Sequence, residues 1–119
     1  MHEQELLKRT ETLIDLRRLR YVLDWWSPKL IESWGALPTY ERFLPDNWPS
    51  VVFVIERALP KQKQNLVDIE THIRNADTLV GTELAKPATY RQPDVMKAAS
   101  MDLDAASRPI REILSALEN

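Results

Sequence analysis

The chain is expected to be all-α, a compact bundle of three long helical segments with a Trp/Pro-rich connector. Three observations carry this expectation. Apolar residues recur at alternating spacings of three and four in three separate stretches, the period of one helix face. Only two glycines occur, Gly35 and Gly81, too few for a barrel or sandwich built on many tight turns. The one run that would suit a buried strand, Val51 to Ile55, continues into the helix formers Glu56-Arg57-Ala58-Leu59 and has no second strand to pair with.

Taken in order, the first segment (about residues 3–26) repeats Leu16, Leu19, Leu23, Trp26 and Leu30, with Leu6 and Leu13 extending the pattern backwards. Ser27-Pro28 reads as a cap followed by proline at a first helical position, which predicts a break or bend near residue 27 and a short helix to Trp34 stopped by Gly35. Residues 36 to 49 form the connector, with one helical turn expected around Tyr40 to Leu44. The second segment (about 50–80) starts near Pro49, where Asn47 or Ser50 offers a cap, and is broken at Pro60. Its later half carries Leu66, Ile69, Ile73, Ala76 and Val80 before Gly81, read as the C-terminal stop. The third segment (about 93–118) carries Met96, Ala99, Leu103, Ala106, Ile110, Ile113 and Leu117, kinked at Pro109, and its small alanines imply a close neighbour. A Thr-Tyr flanked by proline and closed by Pro-Asp occurs both in Pro38 to Asp46 and in Pro87 to Asp94. The flanking helices do not align, so the echo is read as coincidence.

Composition bounds the function. The 119 residues, 44% hydrophobic and 29% charged, suit one globular domain over 1–119. A formal charge of −2, from basic and acidic residues spread along the chain, gives no long-range field for nucleic acid or membrane. The absence of cysteine removes disulfides and thiolate metal sites and fits a reducing compartment, so the expected location is cytoplasmic. The acidic start Met1-His2-Glu3-Gln4-Glu5 leads into no long apolar run, which argues against a secretory signal or a membrane span.

Catalytic chemistry is thinly represented. His72 lies four residues after Asp68, so a carboxylate–imidazole pair on one helix side would be the only basis for a small enzyme. No further ligands stand at metal-binding spacing, and no cofactor or metal is expected. Arg17, Arg18 and Arg20 near Tyr21, Trp25 and Trp26 have the chemistry for phosphate contact and base stacking, so a nucleoprotein subunit touching RNA or DNA through the first helix is the alternative reading. Glu11, Asp15 and Asp24 stand close enough on the same helix to neutralise that cluster. Trp26 continues the leucine stripe and belongs to the core. Trp25, beside it and off the stripe, is the candidate exposed anchor, whereas Trp34 and Trp48 are expected to plug the bundle end. These observations favour a non-enzymatic protein–protein interaction module, such as a small subunit, adaptor or inhibitor, that meets its partner through Trp25, Tyr40 and Tyr90.

Overall fold

A computed structural model describes residues 2–33, 36–37 and 39–118, with side chains from Leu7 onward. Four α-helices follow one another: α1 (His2–Glu32), α2 (Trp48–Ala58), α3 (Lys63–Leu84) and α4 (Pro93–Glu118), with no strand among the described residues. Side-chain pairs between distant residues set their directions. Ser27 meets Ser100 while Arg17 meets Glu118, so α4 runs antiparallel to α1. His72 meets Asp102 while Asn65 meets Glu112, so α4 is antiparallel to α3 as well. The connector and α2 fill the remaining corner between α1 and α3, where Asn47 reaches Asp15 and Trp48 reaches Glu70. The body is elongated, 55 × 22 × 19 Å.

The core joins all four helices. Leu16 and Leu23 of α1, Leu66 and Ile73 of α3, and Leu103 and Ile110 of α4 are buried in one cluster, as the three apolar stripes require. Small residues on α4 let α1 approach closely. The Ser27 hydroxyl donates to Asp104 (2.6 Å), the Ser100 hydroxyl to the Ser27 carbonyl (2.9 Å), and the Ser107 hydroxyl to Asp24 (2.8 Å). These hydroxyls lie in a low-dielectric seam and all have partners, so they contribute specificity of register without an unsatisfied group.

Several boundaries differ from expectation. There are four helices, because Pro60 marks a reversal of the chain rather than a break within one long segment. Helix α2 ends at Ala58, a 3-10 turn covers Pro60–Gln62, and α3 returns antiparallel, bringing Glu70 back to Trp48. No break occurs at residue 27, since α1 runs through Pro28 to Glu32. Proline removes the amide that would bond the Asp24 carbonyl, but Asp24 and Pro28 are both exposed and water can take its place. Ser27 is not a cap; it is buried and bonded to α4. Gly81 is not a stop either. It has no positive φ, and α3 continues to Leu84. Residues 40–42 are irregular and 43–44 form a bend, with no helical turn there. Asn47 does occupy the position before α2, yet its side chain bonds Asp15 instead of capping. Trp34 and Gly35 lie outside the described residues.

A carboxylate on α3 holds the irregular connector in place. Asp77 accepts the Tyr40 hydroxyl (2.5 Å), the Phe43 amide (2.7 Å) and the Leu44 amide (3.2 Å). Tyr40 and Phe43 then pack edge-on against Trp26, with ring centroids 6.4 and 5.5 Å away. Burial, reinforced by the bond to Asp77, pushes the Tyr40 phenol well above its ordinary value. At the turn between α3 and α4 Glu83 is buried, bonded to Lys86 (2.7 Å) and to the Gln92 amide (2.8 Å), and these bonds hold its carboxyl below the usual range.

Candidate protein-interaction face

Helix α1 is apolar on two opposite sides. One side carries the buried residues Leu16, Leu19, Leu23, Trp26 and Leu30. The other carries Leu7 (60% exposed), Ile14 (47%), Tyr21 (69%) and Trp25 (40%). At 3.6 residues per turn these four lie within about 40° of one another and roughly 150° from the core stripe. The bundle covers the first side and leaves the second in solvent. Single exposed apolar residues are ordinary, but four aligned on one helix are not.

The outer face has defined flanks. On the side towards α4, Arg17 forms a forked contact with Glu118, with its Nη2 at 2.7 Å and Nε at 3.3 Å. Arg20 lies 3.5 Å from Asp24. On the side towards α2 stand Glu11 and Arg18, both exposed and neither in an ion pair or side-chain hydrogen bond among the described residues. The face also extends beyond the bundle. Residues 7 to 11 are all exposed, and Thr12 is the first described residue of α1 to be buried, so the start of the helix projects as an arm.

Trp25 has the features of a rigid anchor. Its ring meets Trp26 edge-on at 5.4 Å and 78°, and the Lys29 ammonium lies 5.8 Å from its centroid. These contacts fix the rotamer before any partner arrives, which lowers the entropy lost on binding. Tyr90 is also exposed, on the 3-10 turn Ala88–Tyr90, but it belongs to the α3–α4 turn and not to this face. Tyr40 is half-buried and already engaged within the chain: its hydroxyl is used by Asp77 and its ring by Trp26 and Phe43. Trp48 is buried as expected, with its indole N–H donated to Glu70 at 2.8 Å.

The arginine cluster is not a free cationic patch, since Arg17 and Arg20 have carboxylate partners and only Arg18 lacks one. His72 does not pair with Asp68. Its Nδ1 lies 2.9 Å from Asp102 on α4, while Asp68 accepts from Gln64. The contact ties α3 to α4. Among the described residues no group of three or more His, Cys, Asp or Glu gathers where a metal could sit, and no helix is long and apolar enough to cross a membrane. An open groove of about 530 Å³ lies between the α1 arm and α2, edged by Lys8, Glu11, Pro49 and the exposed Phe53.

Leu7, Ile14 and Tyr21 belong to this face although sequence reasoning did not select them. Their signal was the seven-residue repeat from 7 to 21, which the stronger leucine stripe concealed. Compared with known proteins, the chain matches no family model, no curated protein and no solved structure.

Proposed function

We propose that the protein is a non-enzymatic protein–protein interaction module whose recognition surface is the outer face of α1. The observation that carries this reading is the alignment of Leu7, Ile14, Tyr21 and Trp25 opposite the core. A helix needs one apolar face to join a bundle, and a second one is a standing cost in water unless another surface covers it. An exposed tryptophan and tyrosine on a rigid helix also have the composition of an interface hot spot. The pairing of Arg17 and Arg20 with carboxylates favours a protein partner over nucleic acid.

Trp25→Ala separates binding from folding. We expect it to leave the thermal midpoint within a few degrees of wild type, because the ring is on the solvent side of α1. It should weaken binding by about 2 kcal/mol or more, the loss typical of a hot-spot aromatic. The assay compares wild type and variant, immobilised, for the proteins they retain from nuclease-treated host lysate. If Trp25→Ala unfolds the chain, the residue is structural; if retention is unchanged and instead disappears on charge reversal at Arg17, Arg18 and Arg20, the electrostatic alternative replaces this reading.

A further inference from the structure

The outer face of α1 is complementary to itself, and from this we infer that its partner is a second copy of the chain, paired antiparallel through α1. This inference rests on the interaction face proposed above and names what covers it. A two-fold axis passing beside α1, at the level between Ile14 and Leu16, sets Leu7 of one copy against Tyr21 and Trp25 of the other, and brings the two Ile14 side chains together at the centre. The same axis sets Glu11 against Arg18.

That charge match depends on handedness as well as register. In an antiparallel pair of helices the two-fold axis is normal to the plane containing both, so each flank meets the same flank of the partner. Glu11 and Arg18 share the flank towards α2, separated from each other by seven residues, and both lack a partner within the chain. Two copies so arranged form two equivalent Glu11–Arg18 pairs, as an isologous interface requires. The opposite flank is already neutralised by the Arg17–Glu118 and Arg20–Asp24 pairs.

The projecting arm supplies a second, independent argument. An isolated helical end gains little from its own hydrogen bonds in water, and most helix stability comes from packing a face against something. Residues 7 to 11 are all exposed, and an open groove separates this arm from α2. In the antiparallel pair the arm lies along Tyr21 and Trp25 of the other copy, so the part of α1 least covered by its own bundle is covered by its twin. The seam from Leu7 to Trp25 is about 28 Å long at 1.5 Å per residue, a modest contact for a dimer. A contact of this size suits a reversible pair that separates on dilution.

Sedimentation velocity on the purified full chain, from low micromolar to near millimolar concentration, tests this directly. The expected result is a monomer–dimer equilibrium that Ile14→Glu abolishes. Glu11→Arg alone should raise the dissociation constant about tenfold, and so should Arg18→Glu, while the double exchange Glu11→Arg/Arg18→Glu should return it close to wild type. All three positions are exposed, and circular dichroism of each variant confirms that the fold is retained. A wild type that stays monomeric throughout overturns self-pairing. So does a dimer indifferent to Ile14→Glu, or one in which the double exchange is no better than either single change. A monomeric wild type whose Trp25→Ala variant still loses a lysate partner overturns the self-pairing alone and leaves the interaction face standing.

Discussion

Trp48→Ala is expected to destabilise the protein by about 3–5 kcal/mol, the range for removing a fully buried large aromatic. Trp48 is 2% exposed and stands where the connector becomes α2, between Asn47, bonded to Asp15 of α1, and the core cluster. Truncation opens a cavity at the one corner of the bundle that no long helix fills, so neighbouring helices cannot easily collapse into it. Trp48→Phe separates the two contributions of the residue. It keeps most of the apolar ring but leaves Glu70 without the indole N–H, and should cost less than half as much. Urea unfolding followed by circular dichroism measures both. A cost below about 1 kcal/mol for the alanine variant would mean that the connector corner is not part of the cooperative core.

The second large effect is at Asp77. Alanine there removes the acceptor of two backbone amides and one hydroxyl at once, and all three donors belong to a segment with no helical ladder to fall back on. We expect a loss of about 2–4 kcal/mol, with a fall in thermal midpoint on the order of 10 °C. Amide hydrogen exchange should show where the loss occurs: protection should fall first at Phe43 and Leu44, with the centres of α3 and α4 following only on global unfolding. Asp77→Asn should be milder, since one carbonyl oxygen remains to accept. Equal acceleration across all helices, with no excess at residues 43 and 44, would contradict the role assigned to Asp77.

These two residues also show where sequence reasoning reaches and where it stops. The stripes of α3 and α4 were legible because each helix buries one side only, so apolar spacing maps directly onto burial. Residues 51–55 were assigned to helix from their continuation into Glu56 to Leu59, and they lie in α2. Asp77 was invisible. Its partners are 33 to 37 positions away, and a carboxylate that organises a loop looks like any surface acid in a linear reading.

Proline and glycine misled for a related reason. Pro28 lies inside α1, where tertiary contacts on the opposite side of the helix outweigh one missing hydrogen bond, whereas Pro60 does end its helix, with Leu59 as the last cap before the chain reverses. Tyr40 was grouped with the exposed aromatics because nothing local distinguishes it from Tyr90. Only the fold shows that one faces Asp77 and the other solvent. The candidate face was half legible, since Trp25 stood out by its offset from the core stripe. Leu7, Ile14 and Tyr21 did not, because the leucine stripe explained helix α1 without them.

The central claim is that the outer face of α1 is covered by another protein surface when the protein is at work. A photoreactive phenylalanine analogue placed at Tyr21 in the native host tests it most directly, with the same analogue at the exposed Val67 of α3 as a control for chance encounters. The account predicts a discrete cross-linked species from position 21 and little or none from position 67. Cross-linking that is equal at the two positions, or absent from both, would contradict it.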